Sequence, residues 1–252
     1  MMKRDELLEE LGLTPIWYLR EKQIATHPSE DEARESASTK VRENTQEIAH
    51  QSDCITDINQ RAQRIAALEW DALAEDIASC RACALCERRH KTVPGVGDHS
   101  ARWLFIGEGP GAEEDKQGEP FVGQAGKLLD QMLRALNMNR HQEVYIANVV
   151  KCRPPGNRAP SPQEAETCRP YLERQITLIQ PKIIVALGKS AVSLLLSTDA
   201  SIASLRGRIH HYRDIPLVVT YHPAYLLRSL TEKAKAWEDL LLARKEIQKS
   251  ER

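Results

Sequence analysis

The sequence predicts an α/β fold in which a parallel sheet lies between layers of helices. Short apolar runs that are typical of buried strands alternate with helical patterns from residue 103 onward. Glycine-rich and polar segments follow several of these runs, at the sheet edge where ligands bind. The net charge of −1 is the sum of an acidic and a basic part. Residues 1–78 carry 9 Lys/Arg against 17 Asp/Glu, and residues 79–252 carry 26 Lys/Arg against 19 Asp/Glu. A basic body of this kind is typical of proteins that bind polyanions.

The N-terminal quarter is predicted to be an extension of the folded body. Residues 1–25 contain a short amphipathic segment at 5–19, which is either a frayed terminus docked on the body or a motif that binds a partner. Residues 26–64 hold no aromatic residue and only 9 apolar ones, so we expect a flexible polar linker. The folded domain is then predicted to cover residues 65–252.

Within that domain, hydrophobic periodicity assigns the elements in order. Ile65, Leu68, Leu73 and Ile77 recur at helical spacing before the first cysteine pair. Four apolar runs are predicted as strands, at 103–106, 144–150, 183–187 and 217–221. Helices are predicted at 125–136, 190–196 and 234–247, and a further helix at 162–179 opens with the capping box Ser161-Pro162-Gln163-Glu164.

The sequence disfavours a membrane protein and a secreted protein. No apolar run approaches the ~20 residues of a membrane span. The first residues, Met-Met-Lys-Arg-Asp-Glu, have no apolar core of a signal peptide behind them. We therefore expect a cytoplasmic protein without membrane attachment, in which cysteines bind metal or stay free.

The cysteines predict a metal centre. Cys80 and Cys83 form a C-x2-C pair, Cys152 follows the second strand, and Cys168 lies on the capped helix. Cys86 makes a second C-x2-C pair with Cys83, so the local ligand assignment stays ambiguous. Four thiolates suit either Zn²⁺ or an iron–sulfur cluster, and the alternative is a group of free buried thiols.

Polar or aromatic residues at the strand ends are candidates for a ligand site. Gly107-Glu108-Gly109-Pro110-Gly111 follows the first strand, but it lacks the Lys-Ser/Thr ending of a P-loop, which disfavours an NTPase. Phe121 is either a core anchor or a flat face for a planar ring. Asn148 offers a donor and an acceptor to a base edge, or it is a turn residue. His222 is placed to stabilise developing negative charge, or it is structural.

Together these motifs resemble the family 4 uracil-DNA glycosylases, the iron–sulfur branch of the uracil-DNA glycosylase superfamily. The similarity covers residues 80–237, with its motifs in the order of the family. The segments that carry it are Gly107–Asp115, Pro120–Gly123, Asn148–Pro155 and His222–Arg228. The resemblance implies a three-layer sandwich around a four-stranded parallel sheet.

The resemblance also implies a [4Fe-4S] cluster. Its ligands fall on Cys80, Cys83, Cys152 and Cys168, which leaves Cys86 outside the set.

The same resemblance implies roles in base recognition and catalysis. Phe121 would stack on uracil, Asn148 would read its edge, and His222 would stabilise the departing base. Glu108 and Gly109 fall in the loop that holds the attacking water. Gly109 replaces an aspartate of the best-known branch, so water activation must rest on something else here.

Further residues are implied to contact the base or the DNA. Glu114 matches a residue that crowds uracil C5, and Gly111 lies in the same loop. Leu226 matches the wedge that fills the vacated base stack, with Leu227 adjacent. The predicted phosphate contacts are Arg153, Arg158 and Arg228, although each could be an ordinary surface arginine.

The sequence therefore predicts a monomeric enzyme that removes uracil from DNA in base excision repair. Residues 5–19 are expected to bind a replication or repair protein. The alternative is a non-catalytic iron–sulfur protein that holds single-stranded DNA or accompanies a polymerase. Phosphoryl transfer is disfavoured because no P-loop lysine is present.

Overall fold

The structure is a computed structural model that describes residues 59–249. The predicted segment 1–25 lies outside the described residues, and so does the linker up to residue 58. Among residues 59–249, no helix is long and apolar enough to cross a membrane.

A six-stranded mixed sheet forms the centre of the described chain, in the order β1-β3-β2-β4-β6-β5. Its four central strands, β3, β2, β4 and β6, pair in parallel, which confirms the predicted parallel sheet. The two edge strands are antiparallel and were not predicted. The strands are β1 Val96–Gly97, β2 Trp103–Gly107, β3 Val144–Asn148, β4 Ile183–Leu187, β5 Ile209–Tyr212 and β6 Ile215–Thr220.

The edge strands escaped prediction because they lack the pattern of a buried strand. The strand β1 has only two residues. The strand β5 reads Ile-His-His-Tyr and is held as a strand by its register with β6. Pairing with a neighbour, rather than local hydrophobicity, makes these segments extended.

Helices cover both faces of the sheet. Residues 59–66 are helical (α1), and two 3₁₀ turns lie at Ala84–Glu87 and Pro155–Asn157. The other helices are α2 Trp70–Ser79, α3 Ala112–Gln117, α4 Gln124–Ala135, α5 Pro162–Ile179, α6 Lys189–Leu196, α7 Ile202–Leu205, α8 Pro223–Leu226 and α9 Glu232–Lys249. The start of α5 is the predicted capping box, because Glu164 N–H donates to Ser161 Oγ over 3.2 Å and Ser161 N–H donates to Glu164 Oε2 over 2.7 Å.

Alternation along the strands divides the core between the two faces of the sheet. In β2, Leu104 and Ile106 are buried in the cluster on one face. Trp103 and Phe105 are buried in the cluster on the other face. Since both faces are covered, the strands are apolar at nearly every position, as their sequences predicted.

The folded part of the chain begins earlier than the predicted Ile65. Residues 59–64 were predicted as linker, but they are helical. Arg61 donates to the carbonyl oxygen of Thr167 over 2.9 Å, and its guanidinium lies 5.0 Å from the centre of the Tyr171 ring. The segment is held by polar and cation–π contacts to α5. The linker was predicted from its small number of apolar residues, which says nothing about contacts of this kind.

Candidate active site

A cleft of about 350 Å³ opens at the carboxyl ends of β2, β3 and β6. Parallel strands bring the residues that follow them to one edge, so segments far apart in sequence meet here. Nine of the predicted site residues line this cleft. They are Glu108, Gly109, Gly111, Glu114, Phe121, Asn148, Arg158, His222 and Arg228.

Asn148 lies on the floor of the cleft as the last residue of β3. It is 2% exposed, and its Oδ1 has no hydrogen-bond partner among the described residues. A Cβ atom added at Gly107 would lie 2.5 Å from this oxygen and 2.6 Å from the Phe121 ring. Only glycine at position 107 lets the amide and the ring approach so closely. An unpaired buried oxygen is costly, so its retention indicates a ligand that completes it.

Phe121 is held in an unusual backbone conformation. Its φ is +55°, in the left-handed region that a bulky residue rarely adopts. Arg140 donates to the carbonyl oxygens of Phe121 over 2.8 Å and of Pro120 over 3.1 Å. A Cβ atom added at Gly126 would lie 1.7 Å from the same Phe121 oxygen. Arg140 and Gly126 thus fix the ring in the cleft, and no motif in the sequence pointed to them.

Glu114 ties two loops of the cleft together. Its Oε2 accepts from Gly111 N–H over 3.1 Å. Its Oε1 accepts from Val122 N–H over 2.9 Å and Gly123 N–H over 3.0 Å. The carboxylate therefore fixes the glycine-rich loop against the turn that carries Phe121, in addition to facing the cleft.

His222 presents one defined face to the cleft. It caps α8, because its Nδ1 accepts from Ala224 N–H over 3.2 Å. The other ring nitrogen, Nε2, therefore carries the proton and is a donor. Burial and, to a smaller extent, the positive charge of Arg228 lower the pKa of His222 to about 4, so the imidazole is neutral at pH 7. Its ring lies 5.4 Å from that of Phe121.

The prediction that Leu226 faces DNA is wrong for this structure. Its side chain is 1% exposed, because it ends the short helix α8, which packs against α4. The next residue, Leu227, is 42% exposed. A wedge into the base stack must be exposed, so Leu227 is the candidate at this position.

The three arginines predicted to contact phosphate differ in whether their side chains are already bound to other residues. Arg158 is bound to both carboxylate oxygens of Glu164 over 2.8 and 2.7 Å, and this pairing lowers the pKa of Glu164 to about 2. Arg153 does not line the cleft, and it donates to Asn157 Oδ1 over 2.7 Å. Arg228 is exposed at the rim beside His222. Of the three, Arg228 is the one whose charge is left to act at the cleft.

A separate cavity collects the cysteines. Cys80, Cys83, Cys152 and Cys168 all line it, and Cys86 lines it as well. It lies between the end of α2, the first 3₁₀ turn, the segment after β3 and the helix α5.

Two arginines donate to sulfur in this cavity. Arg89 Nη1 lies 3.1 Å from Cys152 Sγ, and Arg61 Nη2 lies 3.8 Å from Cys80 Sγ. Burial opposes the ionisation of Cys80, but hydrogen bonds from Ala82 N–H and the Arg61 guanidinium hold its pKa below the usual value. The cavity thus provides donors for thiolate sulfur.

The four predicted cysteines supply the chemistry of a metal–thiolate site, because all four line the same cavity. Among residues 59–249, no three His, Cys, Asp or Glu side chains are close enough together to hold one metal ion.

Lys151 lies between the cavity and the cleft. It is 1% exposed, and its Nζ donates to the carbonyl oxygen of Asn148 over 2.9 Å and to Gln175 Oε1 over 2.6 Å. Burial lowers its pKa to about 8, although the thiols of Cys168 and Cys152 raise it. This buried ammonium connects the backbone of Asn148 to the cysteine side of the molecule.

Comparison with known proteins agrees with this geometry. The family model of the uracil DNA glycosylase superfamily matches residues 94–241. A type-4 uracil-DNA glycosylase of Archaeoglobus fulgidus is 42% identical over 165 residues, which are 62% of this chain and 82% of that protein. The Sulfurisphaera tokodaii type-4 enzyme is 44% identical over 165 residues, covering 62% and 75%. The Thermotoga maritima type-4 enzyme is 43% identical over 183 residues, covering 71% and 95%. The chain therefore belongs to the uracil-DNA glycosylase superfamily, and within it to the type-4 uracil-DNA glycosylases.

Proposed function

We propose that this chain binds a uracil extruded from DNA in the cleft and hydrolyses its N-glycosidic bond. The products are free uracil and an abasic site, as base excision repair requires. Membership of the family makes the chain a uracil-DNA glycosylase of DNA repair. The observation that carries the assignment of the site is the unpaired Oδ1 of Asn148, buried beside the Phe121 ring.

Asn148 selects the base. The Oδ1 accepts the N3–H of uracil, and the Nδ2 donates to O4. Cytosine has an acceptor at N3 and donors at N4, so both pairings would be wrong and buried groups would be left unpaired. Stacking on Phe121 returns ~1–3 kcal/mol toward the cost of extrusion.

His222 stabilises the leaving group. As the C1′–N1 bond breaks, its electron pair moves to uracil and negative charge develops on the ring oxygens. The Nε2–H of a neutral imidazole donates to that charge, and such a donor typically contributes ~2.7–4 kcal/mol. Because the proton of His222 is needed as a donor and not for transfer, a pKa of about 4 is compatible with catalysis at neutral pH.

Glu108 holds the attacking water. Its carboxylate accepts a hydrogen bond from a water that adds to C1′ as the sugar gains cationic character, and the proton that this water releases balances the one that the uracil anion takes up. Gly109 leaves room for that water, since it has no side chain between the loop and the sugar. Paired carboxylates of the glycosidase type are not required, because uracil is already a tolerable leaving group.

The DNA lies across the rim of the cleft. Arg228 contacts a phosphate, and Leu227 fills the space that the extruded uracil leaves in the stack. Both lie within six residues of His222, so one segment carries the base contact, the wedge and the phosphate contact. Arg153 and Arg158 serve DNA indirectly, by fixing the loop between β3 and α5.

Cys80, Cys83, Cys152 and Cys168 hold a [4Fe-4S] cluster in this proposal. The cluster supplies four iron–thiolate bonds, which cross-link three separate segments of the chain. Arg61 and Arg89 donate to the thiolates and offset their negative charge. A reducing cytoplasm suits such a site, and one chain provides the whole cleft, so we propose a cytoplasmic monomer.

A uracil-release assay tests the function. The protein is incubated with an oligonucleotide that contains one uracil, and with a matched oligonucleotide that contains cytosine. We expect free uracil from the first and no base from the second. No release of uracil from either single- or double-stranded DNA would overturn the proposal and favour a protein that only holds DNA.

The roles of Asn148 and His222 are tested by Asn148→Ala and His222→Ala. We expect single-turnover rates to fall on the order of 10²- to 10³-fold in each, because each loses a contact made to the base in the transition state. The visible absorbance of the protein should stay the same. Unchanged rates in both variants would show that the cleft is not the site.

Residues 5–19 are proposed to bind a replication or repair protein through Ile16-Trp17-Tyr18-Leu19. A truncation that lacks residues 1–58 keeps Arg61 and should excise uracil normally. It should also fail to retain a partner that the full chain captures. Equal capture by both chains would remove this part of the proposal.

A further inference from the structure

The turn between β4 and α6 touches two catalytic residues, although it carries no residue of the family motifs. Glu108 follows β2, His222 follows β6, and β4 lies between these two strands in the sheet. Gly188, Lys189 and Ser190 follow β4 at the same edge.

Ser190 is hydrogen-bonded to Glu108. Its Oγ lies 2.6 Å from Glu108 Oε2, across 82 residues of sequence. A carboxylate has only acceptors, so the serine hydroxyl donates. The Glu108 carboxylate also lines the cleft. One oxygen is therefore fixed by Ser190, and the second oxygen is left for the cleft.

The hydroxyl of Ser190 has no role in forming its own helix. The N-cap of α6 is Gly188, whose φ is +85°, and Ser190 lies inside the first turn. Alanine would serve α6 at least as well, because serine is a poorer helix former. The contact that explains a serine at this position is the one to Glu108.

Gly188 allows the same turn to pack closely against His222. A Cβ atom at position 188 would lie 2.9 Å from His222 Cβ. Gly188 N–H also donates to the carbonyl oxygen of Thr220 over 3.0 Å, two residues before His222. The turn that holds Glu108 is thus anchored to the segment that carries His222.

We propose that Ser190 is a positioning residue of the glycosylase reaction, which holds the Glu108 carboxylate aimed at the attacking water. The proposal rests on the proposed function of the cleft. Ser190 touches neither the base nor the sugar and acts only through Glu108. A hydrogen bond donated to one carboxylate oxygen removes the rotational freedom of the group. Because this chain has Gly109 in the glycine-rich loop, the oriented Glu108 gives the water a defined acceptor.

The test begins with Ser190→Ala, Ser190→Thr and the control Ser193→Ala, one turn later on α6. For Ser190→Ala we expect the single-turnover rate of uracil release to fall by about 10- to 100-fold, the usual effect of losing a hydrogen bond to a charged group. The KM should stay unchanged, because Glu108 does not bind the base. Ser190→Thr should restore the rate, because threonine keeps the hydroxyl, and Ser193→Ala should match the unmodified chain.

A double-mutant cycle separates this role from a structural one. In a Glu108→Gln background, adding Ser190→Ala should cost no further rate, because the hydroxyl acts only through the carboxylate. Additive losses would overturn the proposal, and so would a Ser190→Ala variant with an unchanged rate, or a threonine variant as slow as alanine. Failure of the unmodified chain to release uracil would instead overturn the proposed function, so the two failures are distinguishable.

Discussion

The base cleft and the cysteine cavity lie on either side of the same four residues, 148–151, and they are built in opposite ways. In the cleft, Asn148 Oδ1 has no hydrogen-bond partner within residues 59–249, and the Nδ1 of His222 is used as a cap, which leaves Nε2–H as the donor. In the cavity, sulfur atoms already receive donors from Arg61 and Arg89. A site that recognises a ligand keeps some hydrogen-bonding groups unpaired until the ligand binds. In a site that cross-links the chain, the corresponding groups are already bonded to other parts of the protein.

The two sites are also connected. Cys152 follows Asn148 by four residues, and Lys151 between them donates to the Asn148 carbonyl oxygen while facing the thiols. The backbone of Asn148, the residue proposed to recognise the base, is therefore held by a side chain that faces the cavity. The following variants break one site while leaving the other intact, or break the connection.

The largest effect is expected from removing a proposed cluster ligand. Cys152→Ser should abolish the visible absorbance and lower the free energy of unfolding by at least about 5 kcal/mol, because metal-centre binding energy is folding energy. Activity should be lost as a consequence. Cys86→Ser is the matched control in the same cavity and should keep the absorbance. If both variants lose colour equally, the ligand assignment is wrong.

Two neighbouring leucines at the rim of the cleft are expected to differ in role: the buried Leu226 stabilises the fold, and the exposed Leu227 contacts DNA. Leu226→Ala should lower the free energy of unfolding by ~2–5 kcal/mol, because it removes a buried side chain. Leu227→Ala should leave stability within ~0.5 kcal/mol and slow excision from double-stranded DNA only. Denaturant unfolding and single-turnover assays on both forms of DNA measure this. The reverse pattern would return the wedge to Leu226.

The connection between the sites is tested by Lys151→Met. Removing the ammonium leaves two buried oxygens unpaired, so the free energy of unfolding should fall by about 2–3 kcal/mol. Uracil release should slow as Asn148 loses its support. Lys182→Met, at an exposed position, is the control. Normal uracil release by a destabilised Lys151→Met would show that the lysine serves stability alone.

The smallest effect concerns pH. The pKa of His222 is about 4 in the folded chain and ~6.5 when unfolded, so the unfolded state takes up a proton first as pH falls through that window. This residue should remove about 2 kcal/mol of stability between pH 7 and pH 5. His222→Gln should therefore lose less stability over that range than the unmodified chain. Substitution of the exposed His211 should make no such difference, and equal pH dependence in all three would contradict the lowered pKa.

The local chemistry of the sequence determined a large part of the fold. The apolar runs gave the four parallel strands, and Ser161 with Glu164 marked the start of α5, because a capping box needs only residues three apart. The strand-end motifs converged on one cleft, because parallel strands bring their carboxyl ends together. The edge strands and the helix at 59–66 were not predicted, since contacts with distant segments hold them.

The sequence by itself determined which residues can do the chemistry: an amide, an imidazole, a carboxylate and four thiols in motif order. Only the tertiary structure decided how they are held. It paired Ser190 with Glu108, placed Arg140 behind Phe121, and buried Leu226 while exposing Leu227. The physical reason is that side-chain orientation and burial depend on packing between elements far apart in the chain, for which a single sequence carries no local signal.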